Sequence, residues 1–117
     1  MYQLDIIKQT VLAKKLGGLP IFNDGFLHSI SLNKDVLIMD IKLLAQNNPL
    51  LTSDSRVLLK LYNVISYNLT STTHKEALAI IYNIDIRKEE NHLRLLLEST
   101  LGDMNEIVFE SIELEPA

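Results

Sequence analysis

Apolar and polar residues alternate with period 2 over most of the chain, and the segments that keep this period predict its strands. Residues 36–44 place Leu37, Met39, Ile41 and Leu43 against Asp40 and Lys42. Residues 56–69 keep Val57, Leu59, Leu61, Ile65, Tyr67 and Leu69 in one phase, interrupted by Asn63. That run is too long for one strand of a small domain, so a bend or bulge is expected at Asn63, where the chain passes from one sheet to another. Ile80, Tyr82, Ile84 and Ile86 alternate with Asn83, Asp85 and Arg87, and Leu93, Leu95 and Leu97 alternate with His92, Arg94 and Glu98. In the last segment Ile107 and Phe109 fall out of phase with Ile112 and Leu114, which predicts a second bulge near Glu110 and Ser111.

Two stretches depart from this period. Leu4, Ile7, Val11 and Leu12 recur at helical spacing across residues 2–16, with Gly17 and Gly18 following as a stop. Residues 45–55 hold most of the loop chemistry and show no period, and a long loop in a compact domain is often functional. The expected fold is therefore α+β but mainly β, a single domain over 1–117. It has an N-terminal helix and about seven antiparallel strands in a sandwich or partly closed barrel.

The strongest local signal is the entry to the first strand, Phe22-Asn-Asp-Gly-Phe-Leu-His-Ser-Ile-Ser-Leu32. Asn23, Asp24 and Gly25 supply a positive-φ position and local caps. The alternation that follows puts Phe26, His28, Ile30 and Leu32 on one face. Asp24 and His28 are candidates for an acid-base pair, because a carboxylate can fix the tautomer of an imidazole that titrates near neutrality. A histidine that hydrogen-bonds its own turn is the simpler reading of Asp24, Gly25 and His28, since no nucleophile accompanies them. Two such ligands also fall short of the three or four that a metal requires, and no cofactor motif is present. His74 stands in a polar turn and reads as a surface residue.

Composition narrows the function classes. The chain of 117 residues is 47% hydrophobic and 22% charged, which is a globular balance. It has no cysteine, so disulfides, thiolate metal sites and cysteine nucleophiles are excluded. The first residues lack the basic and apolar regions of an export signal, and no apolar stretch reaches the roughly 18–20 residues of a membrane span, so a cytoplasmic protein is expected.

Net charge is −4 and unevenly spread: residues 1–60 carry seven bases and five acids, residues 61–117 four bases and ten acids. No basic residue follows Arg94, whereas Glu98, Asp103, Glu106, Glu110, Glu113 and Glu115 do. Such a field repels a phosphate backbone and steers a basic partner, so nucleic acid is not an expected ligand. Glu106, Glu110, Glu113 and Glu115, with the 45–55 loop, are the candidate partner-binding residues; a solvated acidic face kept for solubility is the plainer alternative.

The entry strand, the run Val-Leu-Ile-Met-Asp-Ile (36–41), the run Arg-Val-Leu-Leu-Lys-Leu-Tyr-Asn-Val-Ile-Ser-Tyr-Asn-Leu (56–69) and Glu-Ile-Val-Phe-Glu-Ser-Ile-Glu-Leu (106–114) after a Leu-Gly-Asp turn occur in an order that resembles a known family. It is that of the small bacterial immunity proteins of the immunity protein 50 type, found in polymorphic toxin systems. The likeness runs from about Leu19 onward, with Asn23-Asp24 where the family more often has His-Asp. The resemblance implies a non-enzymatic protein that binds a toxin domain and blocks it, with no catalytic residues to carry over; the acidic surface adds the expectation that this partner is basic. Alternatives are a scaffold or small-ligand module with a pocket ringed by Tyr62, Tyr67 and Tyr82, and a hydrolase built on Asp24 and His28. Strand-edge pairing with a second copy is open to any of them.

Overall fold

The computed structural model describes residues 14, 22, 24–68, 79–99 and 104–117. The helix expected over 2–16 lies outside them apart from the exposed Lys14, as does His74. Among the described residues the protein is mainly β, with β1 (Phe26–Asn33), β2 (Val36–Leu43), a 3-10 turn (Ala45–Asn47), β3 (Ser55–Tyr62), β4 (Ser66–Asn68), β5 (Ala79–Lys88), β6 (Leu93–Ser99), β7 (Met104–Phe109) and β8 (Ser111–Pro116). The eight strands, where about seven were expected, come from six alternating segments, two of which break in two, at Asn63 and Glu110.

All pairings are antiparallel, and the strands form one sheet in the order β4-β7-β6-β5-β1-β2-β3-β8. The expected barrel closure is not formed among the described residues, where β4 and β8 are the two edges and do not pair. Two separate sheets are not formed either, because a narrow seam joins β1 to β5 through Phe26↔Ile80 and Leu27↔Ala79. Asp24 N–H donates to the Ile81 carbonyl (2.8 Å) and Ile81 N–H to the Gly25 carbonyl (2.9 Å), extending the seam by one turn.

The seam divides the sheet into a first half (β1, β2, β3, β8) and a second half (β5, β6, β7, β4). One hydrophobic cluster takes side chains from both, including Leu37, Met39, Ile41, Leu59 and Leu61 of the first and Ile84, Ile86, Leu95, Ile107 and Phe109 of the second. Burying apolar surface between the halves is the main force holding the sheet folded. Residues 55–68 and 104–117 belong to both halves, forming a two-stranded ribbon bent at its middle. Tyr62 still pairs with Ser111 in the first half, whereas Ser66 pairs with Val108 in the second.

Both seam strands carry a bulge, and there the simple alternation fails. On β1 the register steps from Leu27↔Ile41 to Ser29↔Asp40, leaving His28 as the extra residue. Leu27 is therefore buried and Phe26, opposite Lys42, takes the other face, so the expected stripe of Phe26, His28, Ile30 and Leu32 is broken at its start. On β5 the step lies between Ile81 and Asn83; Ile81, Ile84 and Ile86 point inward and Tyr82 is 59% exposed. Bulges bend and twist a strand. Placed beside a seam of two described residue pairs, they let the sheet fold over its own core.

Candidate functional site

The entry turn is built for packing. Asp24, not Gly25, holds the positive φ (66°). Gly25 is required for space: a Cβ there would stand 2.9 Å from the Phe22 carbonyl oxygen and 3.0 Å from that of Lys42, both fixed backbone atoms. Asp24 is exposed, and no hydrogen bond or ion pair links it to His28, whose Nε2 is buried and has no hydrogen-bond partner. The imidazole thus neither satisfies the turn, as the simpler reading expected, nor meets the carboxylate, as the catalytic reading required. The bulge accounts for both, because it redirects His28 from the alternation that would have set it over the turn.

The four candidate glutamates do not share one face. Glu113 and Glu115 lie on the outer face of the first half, opposite Lys60 and Leu58, while Glu106 lies on the outer face of the second, opposite Leu96 and Asn68. Glu110 sits between them where the ribbon bends. Lys60 Nζ is 2.8 Å from Glu115 Oε2, and this hydrogen bond raises the Lys60 pKa. Arg94 bridges Glu106 and Glu89; its Nε donates to Glu89 Oε1 at 2.8 Å, and His92 Nε2 lies 3.0 Å from the same oxygen. The hydrogen bond from Arg94 is the main cause that lowers the Glu89 pKa. On β2 and β3, Arg56 pairs with Asp40. Two of the four candidate glutamates, Glu106 and Glu115, are therefore matched by bases on neighbouring strands, a pairing that linear order does not reveal.

The bend of the ribbon gathers a different set of residues. Asn63 adopts φ 55°, a left-handed conformation that asparagine tolerates better than most residues, and this turns the chain out of β3. Glu110 N–H donates to the Tyr62 carbonyl (3.0 Å), Ile65 N–H to the Val108 carbonyl (2.8 Å), and Asn63 Nδ2 to Glu110 Oε2 (3.1 Å), so both strands of the corner are fixed to each other. Val64 packs against the core, whereas Ile65, at the bend, and Tyr67, on β4 opposite Ile107, remain 59% and 53% exposed, and Glu110 on the other strand of the bend is exposed as well. Sequence alternation assigns both to the core, since they keep the phase of Leu59 and Leu61. The signal that could have separated them is Asn63 itself, an αL-tolerant residue in the middle of an apolar run.

In the 45–55 loop, Asn48 is buried, with Nδ2 donating to the Leu44 carbonyl (3.1 Å), and Asp54 Oδ1 accepts from Ala45 N–H (2.9 Å). Leu51 tucks onto the core and Leu50 stays 40% exposed, so the loop is internally braced. A shallow cleft at the seam is lined by Leu27, Ile80, Ile81, Leu97, Glu98, Ser99 and Asn105. None of Tyr62, Tyr67 and Tyr82 lines it. Its empty volume is about 200 Å³ including space open to solvent. Drug-sized ligands occupy pockets of roughly 300–1,000 Å³.

Among the described residues no group of three or more His, Asp or Glu is placed to hold a metal, and no helix is long and apolar enough to cross a membrane. The fold and corner define an open antiparallel β protein with an aromatic and aliphatic pair displayed at a bend. No family model matches the chain, and no curated protein or solved structure is significantly similar to it.

Proposed function

We propose that this chain is a non-enzymatic binding protein whose partner is a basic protein domain, and that the ribbon corner is its contact surface. The observation that carries the reading is the exposure of Ile65 and Tyr67, two large apolar residues at and just after a hydrogen-bonded and therefore preorganised bend whose other strand carries the exposed Glu110. Aromatic side chains at the centre of an interface supply much of its binding energy, and a neighbouring charge sets orientation and capture rate. The net charge of −4 favours a basic partner over an acidic one. The separation of Asp24 from His28 supports binding over hydrolysis. The more particular form of the proposal, a cytoplasmic immunity protein that neutralises a toxin, rests on the resemblance of the strand sequences alone.

The test is capture of a partner by the native chain and by Tyr67→Ala and Glu110→Lys variants, each first shown to melt as a folded protein. A basic protein held by the native chain, lost by both variants, and toxic to cells unless this chain is co-expressed, is the expected result. Equal retention by all three baits moves the contact away from the corner. No partner for a folded bait contradicts tight binding.

A further inference from the structure

The β8 edge carries a feature that the corner does not. Ala117 N–H donates to the Arg56 carbonyl (3.0 Å), and antiparallel ladders alternate between residues that face the neighbouring strand and residues that face away. With Lys60↔Glu113 and Leu58↔Glu115 in register, Glu113 and Glu115 turn their backbone groups toward β3. Ile112, Leu114 and Pro116 therefore turn theirs to the other side, where no strand pairs among the described residues. Pro116 has no N–H to offer. Leu114 N–H is already engaged, donating to Glu113 Oε1 at 3.3 Å.

The same register shows what the open side would otherwise accept. Two copies of β8, run antiparallel about a two-fold axis through residue 113, would pair Ile112 with Leu114 of the second copy and Leu114 with its Ile112. Each pair would exchange both backbone hydrogen bonds, and that self-complementarity makes a second copy of this chain the strand that fits. The obstacle is Glu113. Its carboxylate occupies one of the donors the pairing needs, and the two-fold axis sets it against its own symmetry mate at a non-hydrogen-bonded position, where side chains come closest and like charges repel.

We propose that Glu113 is a latch that closes the β8 edge against β8 of a second copy, and that its removal converts the chain to an edge-paired dimer. Native chains so guarded avoid edge-to-edge association at a small cost in local geometry.

Three variants test this. Glu113→Ala removes both the cap and the repulsion, and light scattering is expected to show a concentration-dependent dimer where the native chain shows none through this edge. Hydrogen exchange at the Leu114 amide, read in dilute solution, is expected to speed by about tenfold in Glu113→Ala and to stay near the native rate in Glu113→Gln, which keeps an acceptor oxygen. Because the chain has no cysteine, Glu113→Cys supplies a single thiol at the proposed axis, and on oxidation it should cross-link about tenfold faster than Glu110→Cys at the corner. Equal cross-linking of the two cysteine variants overturns the proposal, as does a Leu114 amide indifferent to Glu113→Ala. A Glu113→Ala chain that keeps the native mass at all concentrations also overturns it.

Discussion

Among the described residues β4 and β8 are the two edges of one sheet, and each continues a strand that is interior on the other side of the bend: β4 follows β3, and β8 follows β7. They are finished differently. β8 has six residues, ends in Pro116, carries Glu113 and Glu115 on its outer face, and is tied to β3 by Lys60 as well as by its ladder. β4 has three residues, and residues 65–68, Ile-Ser-Tyr-Asn, bear no charge and leave their two largest side chains in water. A long edge left unguarded invites association, so charge and proline are the expected remedy at β8. The three described residues of β4 offer a much shorter ladder than β8. The exposed apolar pair of residues 65–68 is then free to serve recognition, and the contrast separates an edge that excludes strands from a corner that presents side chains.

The largest effect expected from this contrast lies along a single stretch of chain. Leu61 and Ile65 share a phase in the sequence, but Leu61 is fully buried and Ile65 is not. Leu61→Ala should lower unfolding stability by about 2–5 kcal/mol, as buried leucines do. Ile65→Ala should change it by no more than about 0.5 kcal/mol, as exposed sites do. Denaturant titrations of the two variants decide whether Ile65 lies outside the core that holds Leu61.

A smaller effect is expected at the bend. Asn63→Ala places an ordinary residue at φ 55° and removes the bond to Glu110, which should cost about 1–2 kcal/mol. Asn63→Gly should lie within about 0.5 kcal/mol of the native chain, because glycine accepts the conformation. Equal losses in both would mean that the side-chain bond, rather than the backbone, sets the corner.

Smallest are the exposed ion pairs, which the pH dependence of melting reads. Lys60 has a raised folded pKa because it donates to Glu115. Its contribution is therefore complete below the ordinary lysine pKa and is lost as pH rises through the raised value. Glu89 has a lowered folded pKa, chiefly from the Arg94 hydrogen bond, so its contribution is present above the ordinary glutamate pKa and is lost as pH falls through the lowered value. Lys60→Met should flatten the alkaline side of the melting profile and leave the acid side, whereas Arg94→Met should flatten the acid side. A profile unchanged by either would mean that these pairs are fully screened.

Period-2 alternation identified the inward residues of β2, β3, β6 and β8, and the phase conflict at Glu110 and Ser111 marked the break between β7 and β8. Asn63 marked the other break. His28 and Tyr82 were misread for one reason: a bulge shifts every later side chain to the opposite face, and a bulge inside an apolar run leaves no sign in the residue types around it. The candidate site was less legible. Glutamates that look like one acidic block in linear order are dealt to two outer faces and matched to Lys60 and Arg94 by register. Ile65 and Tyr67 keep the inward phase, Tyr67 opposite the buried Ile107, but stay exposed at the β4 end of the sheet, a position that alternation alone does not reveal.

The most direct measurement is the affinity of the captured partner for the native chain, for Tyr67→Ala and for Glu113→Ala, with the latter kept dilute enough to remain monomeric. Tyr67→Ala should weaken binding by at least about 30-fold, corresponding to loss of a central aromatic anchor, with its melting temperature unchanged. Glu113→Ala should bind as the native chain does. A native affinity in Tyr67→Ala, or a loss in Glu113→Ala, would place recognition on the β8 edge and contradict the corner as the binding surface.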